Sequence, residues 1–231
     1  MNRPYIICHM VTSIDGKVTG DFLFQRESEA GTEDYYKINR DFKADGFACG
    51  RVTMEGSFTG GWQPDLTPFA DAKIKRSDRI SDKEAKFFAV SFDRHGRLGW
   101  KTPRIIDEDP GYGNAHIIQV MCEDAGDDYL AYLQSIGVSY IFAGKEELDL
   151  PLALKKLKEL FGIEKLLLEG GSKINGAFHK EKLIDELSLV MIPLTASKES
   201  KPLFYDGGLD IYKLMDVQKL PSGAVWLRYL K

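Results

Sequence analysis

Three short segments contain residues whose types and spacing could do chemistry, and each follows an apolar run of strand length. They are residues 13–17, 50–53 and 169–172. Gly170 and Gly171 let a ligand approach the backbone, because no Cβ stands in the way. The unpaired amides of a helix predicted to begin at Ser172 favour an anion. This segment therefore predicts a phosphate or pyrophosphate site, although a Gly-Gly pair also makes an ordinary tight turn.

The charged residues of these segments differ in what they indicate. Glu169 stands at the end of a buried strand, where a carboxylate needs a partner or a perturbed pKa, and this favours a functional site. Asp15 precedes Gly16, and Asp-Gly is also a common turn pair, while Lys17 could be a solvated lysine. The histidines lack the spacing of metal ligands, so we predict no metal site.

Strands and helices alternate along most of the chain. Apolar runs predict strands at 5–11, 46–50, 87–92, 117–121, 138–143, 163–168, 187–193 and 224–230. Apolar residues at helical spacing predict helices at 33–43, with Thr32 as the N-cap, at 129–136 and at 150–161, where Gly162 ends the helix. Residues 56–84 are predicted to be an irregular loop.

The alternation indicates an α/β fold with a mainly parallel sheet, helices on both faces and an antiparallel C-terminal edge. We expect a single domain spanning residues 1–231. In open sheets of this kind the ligand binds at the carboxyl ends of the strands. Since all three segments follow strands, we expect them to face one pocket.

Composition narrows the classes of function. The chain has 231 residues and a net charge of -4, which argues against a nucleic-acid partner. No apolar run is long enough to span a membrane, and no signal peptide is visible. Cys8, Cys49 and Cys122 are far apart in sequence, which indicates reduced thiols and a cytoplasmic protein.

The ordered motifs resemble the dihydrofolate reductase-like superfamily and, within it, the reductase domain of the bifunctional riboflavin-biosynthesis deaminase–reductase. Residues 13–17 resemble the S-x-D-G-K of that domain, and residues 45–53 resemble its D-A-x-x-x-G-x-x-T. Residues 168–171 and 183–187 resemble its x-E-G-G followed by L-x-D-E-L. Order and spacing match from Tyr5 to about Phe204. The deaminase pattern H-x-E…P-C-x-x-C is missing from the sequence, so the resemblance is to a free-standing reductase.

The resemblance implies a homodimer that uses NADPH to reduce a ribosylamino sugar on a small heterocycle, a pyrimidine, to its ribityl form. Within the family the chain is similar to the reductases of the uracil-type substrate, 5-amino-6-(5-phosphoribosylamino)uracil. The cofactor supplies the hydride, and the protein orients it and places charge. By resemblance, Lys17 and Glu169 are catalytic and Asp15 positions them, while Ser13, Asp15 and Lys17 line the substrate pocket. The residues implied to hold the cofactor are Gly50, Thr53, Glu169, Gly170, Gly171 and Ser172, with Ser91 and Arg94 for the ribose 2′-phosphate.

The chain departs from the family pattern where a substrate phosphate is bound. An arginine is usual four residues before the D-A motif, but Asp41 stands there and Arg40 is displaced by one residue. The stretch 63–68 resembles the family's D-N-P-x-L-T-x-R without its arginine. Arg76 and Arg79 are candidate substitutes, together with Lys73 and Lys75.

Two alternatives remain open. A dihydrofolate reductase-type pteridine reductase would fit residues 50–55, but the first loop lacks an L-P-W-type segment. A non-catalytic, dimeric nucleotide-binding protein would fit the missing arginines. A Rossmann dehydrogenase is disfavoured, because no G-x-G-x-x-G follows the first strand.

Overall fold

The computed structural model describes residues 2–231, which divide into two compact units. The first unit comprises Asp45–Leu166 with residues 2–4, and the second comprises Tyr5–Ala44 and Leu167–Lys231. In chain order the elements are β1 (Tyr5–Thr12), α1 (Arg26–Asp41), β2 (Gly46–Gly50), α2 (Arg51–Met54), β3 (Phe88–Phe92), β4 (His116–Met121), α3 (Asp127–Ser135), β5 (Ser139–Phe142), α4 (Leu150–Phe161), β6 (Lys165–Leu168), α5 (Ser172–Lys180), β7 (Glu186–Met191), β8 (Lys213–Lys219) and β9 (Val225–Leu230).

The first unit contains four parallel strands in the order β5-β4-β3-β2. Nearly every residue of these strands is buried, which explains their continuous apolar sequences. Helix α4 begins where the Asp149 side chain accepts a hydrogen bond from the Leu152 amide, and it ends at Gly162, which has a φ of 70°. These are standard N-cap and C-terminal signals, so the sequence predicted this helix correctly.

The second unit contains β1 and β7 in parallel, followed by β9 and then β8 in antiparallel pairing. Helix α1 packs on one face of these strands. Its Tyr35 and Ile38 form a buried cluster with Val11 of β1, Val190 of β7 and Ile192. The chain passes from the first unit to the second within β6.

The predicted fold class, α/β with a mainly parallel sheet and an antiparallel C-terminal edge, is confirmed. Two element predictions are wrong. Helix α1 begins at Arg26 rather than 33, so Thr32 lies inside the helix and Gln25 precedes it. Strand β8 was missed because its side chains are mostly exposed and three of its seven residues carry charge. The expectation of a single domain stays a prediction.

Two short helical turns interrupt the segment 56–84: Glu55–Thr59, which begins one residue before it, and Thr67–Phe69. Its second half is anchored within the first unit. Arg76 is paired with Asp127 and donates to the carbonyl oxygens of Glu123 and Ala125 at 2.8 Å each. Arg76 is therefore already engaged by protein groups, which weakens its case as a substitute phosphate ligand. Within residues 2–231, every helix is too short or too polar to cross a lipid bilayer.

Candidate active site

The loop after β1 is closed by the side chain of Ser13. The Ser13 hydroxyl donates to Oδ1 of Asp15 at 2.8 Å and accepts from the Lys17 amide at 2.9 Å. The Ser13 amide donates to the Lys17 carbonyl at 2.9 Å. Ser13 is fully buried and Lys17 is half-buried. The loop therefore has a fixed shape, and the S-x-D-G-K spacing is what closes it.

Asp15 has a second role in holding this loop. Its Oδ1 also accepts a hydrogen bond from the Ala196 amide at 3.0 Å. That bond, followed by the one from Ser13, holds the pKa of the exposed carboxyl below its usual value. Asp15 is thus ionised at neutral pH, and one of its oxygens is engaged by the protein. This arrangement suits the positioning role predicted for it.

Glu169 is buried at the end of β6, and Oε1 accepts a hydrogen bond from Nδ2 of Asn39 at 2.7 Å. Burial raises the pKa of the nearby Cys8 thiol, and the charge of Glu169 raises it further. With Asn39, the buried Glu169 carboxylate has the hydrogen-bond partner that a carboxylate at this position needs. Sequence reasoning missed Asn39, because a single asparagine on the buried side of a helix gives no distinctive pattern.

The Gly170-Gly171 turn fits a ligand that approaches the backbone closely. The peptide bond between the two residues is cis, and Gly170 has a φ of 95°. A Cβ on Gly170 would lie 3.2 Å from Cε of Met10. The side chain of Asn175 lies beneath the turn, and neither its Nδ2 nor its Oδ1 has a hydrogen-bond partner although the residue is 0% exposed. The turn carries no side chains, and the unpaired side-chain amide of Asn175 lies below it. This arrangement is compatible with a nicotinamide cofactor.

A strap formed by residues 194–206 joins the two segments of the second unit. The Leu203 amide donates to the Gly16 carbonyl at 3.1 Å, and the Tyr205 amide donates to the Ser172 carbonyl at 3.0 Å. The Ser172 hydroxyl donates to the carbonyl of Pro202. The structure thereby links residues 13–17 and 169–172 through one segment. The Ser172 hydroxyl is already engaged, so a cofactor contact by Ser172 would have to come from its backbone.

The remaining predicted residues lie in the first unit. Gly50 is the residue before α2, and Thr53 lies within that helix. Ser91 is fully buried in β3 and its hydroxyl has no partner. Arg94 is paired with Glu147 at 2.7 Å. A single pocket for all three segments stays a prediction.

A cavity of about 410 Å³ lies in the first unit, and two further arginine side chains line it. It is lined by Arg51, Arg97, Glu55 and Tyr129, among others. Arg51 pairs with Glu55 at 2.7 Å. Nearby Asp93 accepts from the amides of Arg97 and Leu98, and burial raises its pKa. Arg97 has no place in the family motifs, so only the structure identifies it as a residue that lines this cavity.

The part of the chain that the structure describes contains no group of three or more metal-ligating side chains.

A family model described as the RibD C-terminal domain matches residues 4–226. The chain belongs to this family. Its resemblance to the reductase domain of riboflavin biosynthesis is confirmed.

Three curated relatives of this RibD-type chain bear the name 2,5-diamino-6-ribosylamino-4(3H)-pyrimidinone 5′-phosphate reductase. The protein of Aquifex aeolicus is 28% identical over 237 residues, covering 99% of this chain and 93% of the relative. The protein of Methanothermobacter thermautotrophicus is 35% identical over 214 residues, covering 90% and 87%. The predicted similarity to pyrimidine reductases of riboflavin biosynthesis is therefore confirmed.

Solved structures show the same fold. A pyrimidine reductase-like protein from Corynebacterium diphtheriae aligns with a TM-score of 0.68 at 18% identity, covering 99% of this chain and 92% of that chain. The yeast riboflavin biosynthesis reductase Rib7 aligns with a TM-score of 0.64 at 13% identity, covering 100% and 90%. At these identities the likeness concerns the fold alone.

Proposed function

We propose that this RibD-type chain is an NADPH-dependent reductase that opens the ribose of a ribosylaminopyrimidine phosphate and reduces it to the ribityl form. The observation that carries the proposal is the buried Glu169 carboxylate, held by Asn39 beside the Gly170-Gly171 turn. The substrate is 2,5-diamino-6-ribosylamino-4(3H)-pyrimidinone 5′-phosphate, as in the names of the relatives. It retains the 2-amino group that the uracil-type substrate has lost.

The reaction requires a hydride on the first ribose carbon and a proton on the ring oxygen, and the reduced nicotinamide supplies the hydride. Lys17 and Glu169 are the proposed groups that hold or move the proton, because both carry charge on segments fixed by the strap. Asp15 and Ser13 keep the Lys17 loop in place. Gly170, Gly171 and the backbone of Ser172 hold the cofactor, with Asn175 beneath them. Gly50 and Thr53 are proposed cofactor ligands on the strength of their motif.

The proposed test measures NADPH affinity and turnover separately in the Glu169→Gln variant. The amide oxygen of glutamine can still accept the bond from Asn39, but the charge is lost. We expect an unchanged fold and cofactor affinity, and a rate lower by roughly 10²–10⁴. Lys17→Met is expected to behave in the same way. Wild-type protein that binds NADPH but reduces neither the diaminopyrimidinone nor the uracil-type substrate would instead be a non-catalytic nucleotide-binding protein.

The preference for NADPH over NADH is proposed from guanidinium groups that suit the 2′-phosphate. Two assignments compete in the first unit, Arg94 from the motif and Arg97 from the cavity. The geometry favours Arg97, since Arg94 is paired with Glu147. We expect Arg97→Ala to weaken NADPH binding at least tenfold and to leave NADH binding unchanged. The matched variant Arg94→Ala tests the other assignment, and the same selective loss there would reverse the choice.

We also propose that the protein acts in the cytoplasm as a homodimer.

A further inference from the structure

A buried carboxylate holds the turn that carries Arg97, residues 93–100, which we call the arginine turn. Asp93 directly follows β3 and is 2% exposed. Its Oδ2 accepts hydrogen bonds from the amides of Arg97 and Leu98 at 2.5 and 2.9 Å, and from Nε2 of Gln119 at 2.8 Å. Burial raises the pKa of Asp93, and the two backbone amides lower it. A buried carboxylate is costly unless it is hydrogen-bonded, so these donors stabilise Asp93 at this position.

Gln119 of β4 connects Asp93 to a second point of the arginine turn. The residue is 0% exposed, and its Oε1 accepts a hydrogen bond from Nε1 of Trp100 at 3.0 Å. An indole nitrogen can only donate and a carboxylate can only accept. Both ends of the Gln119 side-chain amide therefore have a fixed orientation, and the amide links the two ends of the turn.

Two tyrosines of α3 hold the same turn through its carbonyl groups. The hydroxyl of Tyr129 donates to the carbonyl of Leu98 at 2.7 Å, and the hydroxyl of Tyr132 donates to the carbonyl of Trp100. Gly96 has a φ of 66°, and a Cβ there would lie 2.4 Å from Cδ1 of Tyr129. The arginine turn is thus held closely by buried polar groups that follow β3 or belong to β4 and α3.

Arg97 is the cation that the arginine turn presents to the cavity of about 410 Å³. Its side chain is exposed, and in the part of the chain that the structure describes its guanidinium has no ion pair or hydrogen bond. Arg51 and Arg94, by contrast, are paired with glutamates. A guanidinium binds a phosphate in a defined geometry, so its contribution depends on where the backbone places it.

We infer that Asp93, together with Gln119, is a positioning residue that sets the preference for NADPH over NADH by fixing the arginine turn. The inference rests on the 2′-phosphate role proposed above for Arg97. NADH lacks that phosphate, so a displaced Arg97 should reduce the affinity for NADPH and leave the affinity for NADH unchanged. A merely structural role of Asp93 would lower stability without changing the ratio of the two affinities.

The test exchanges the carboxylate and the amide between positions 93 and 119. In Asp93→Asn the new side-chain amide can face that of Gln119 donor to donor, and turning the Gln119 amide over would move the conflict to Trp100. We expect NADPH binding to weaken by roughly tenfold or more and NADH binding to change by less than about twofold, as measured by calorimetric titration.

The double variant Asp93→Asn/Gln119→Glu provides the rescue. The asparagine amide can donate to the new carboxylate, which can also accept from Trp100, and the net charge is that of the wild type. The ratio of NADPH to NADH affinity should return to within about threefold of the wild-type ratio. The milder variant Gln119→Met leaves Trp100 without its partner. It should show a smaller selective loss, and it decides the question if Asp93→Asn does not fold.

The matched control is Ser139→Ala, which removes a different buried hydrogen bond of the first unit, the one with Nε2 of His116. It should lower the melting temperature and leave the affinity ratio unchanged. If Arg97→Ala selectively weakens NADPH binding but Asp93→Asn lowers both affinities equally or neither, the inference is overturned and the proposed cofactor preference stands. If the wild type and Arg97→Ala bind both cofactors equally well, the proposed preference fails and the inference fails with it.

Discussion

At the scale of residues, Gly170 combines two requirements that no other residue meets without strain. Its φ of 95° lies in a region that side chains rarely adopt, and a Cβ there would touch Met10. The nearby loop contains a useful comparison. Gly16 has a φ of 75°, but a Cβ on Gly16 would meet no atom within 4 Å.

We therefore predict that Gly170→Ala and Gly16→Ala have different effects. Both should lose about 1–2 kcal/mol of stability from the unfavourable φ. Gly170→Ala should in addition weaken NADPH binding at least tenfold, because the new methyl group would press on Met10 and displace the turn that holds the cofactor. Calorimetric titration with NADPH measures this. Equal affinities in the two variants would show that the cofactor does not approach Gly170.

His9 shows how burial fixes a protonation state. Its Nε2 contacts the Tyr35 carbonyl at 3.1 Å, and its Nδ1 lies 2.9 Å from the Ser188 hydroxyl. This pattern assigns the proton to Nε2 and the acceptor role to Nδ1. The ring also stacks on Tyr35 at 4.2 Å. Burial lowers the pKa of His9 from 6.5 to about 4, so the native state holds the neutral ring.

This pKa predicts a specific dependence of stability on pH. Between about 6.5 and 4 the unfolded chain binds a proton at His9 that the native state does not, so stability falls as the pH falls through that window. Above pH 6.5 the neutral His9 ring costs the native state no stability. Below pH 4 the native state has lost roughly 3 kcal/mol of stability relative to that reference. In His9→Gln the decline over this window should be smaller, because that titration is removed. Urea unfolding at several pH values measures it, and an unchanged decline in the variant would contradict the assignment.

At the scale of elements, the strap of residues 194–206 holds α5 and the loop after β1 in a common arrangement. It depends on Gly176 of α5, since a Cβ at that position would overlap the carbonyl oxygen of Tyr205. Close approach of two backbones is thus the reason for a glycine inside a helix. A second contact holds the strap nearby, where the Pro202 carbonyl accepts a hydrogen bond from the Ser172 hydroxyl.

We predict that Gly176→Ala destabilises the protein, although glycine to alanine in a helix usually stabilises by about 0.5–1 kcal/mol. The overlap with Tyr205 should cost roughly 1–3 kcal/mol, and the displaced strap should lower turnover more than NADPH affinity. Denaturant unfolding and steady-state kinetics measure the two effects. Gly56→Ala is the control, because a Cβ there would meet nothing within 4 Å. It should be neutral or stabilising, and a similar result for Gly176→Ala would refute the contact.

At the scale of the whole molecule, the four parallel strands of the first unit and the parallel β1–β7 pair of the second agree with the alternation in the sequence. Both ends of helix α4 were predictable to the residue, because all its signals are local in sequence. Asp149 caps the start, the apolar spacing defines the buried side, and Gly162 ends the helix. The start of α1 was not, because Gln25 gives no side-chain cap and the first turns of this helix are polar. Strand β8 escaped prediction for a related reason, as an edge strand lacks the apolar run of a buried one.

The sequence by itself determined the fold class, the family, and the presence of Glu169 and the two glycines at the end of β6, because these depend on local periodicity and on ordered motifs. Only the tertiary structure showed that Asn39 holds Glu169, that Asn175 lies unpaired beneath the turn and that the strap joins two distant loops. Those contacts join residues separated by long stretches of chain. The contact between Asp93 and Gln119 likewise depends on the register between β3 and β4, and no spacing within one strand encodes which neighbours it will meet.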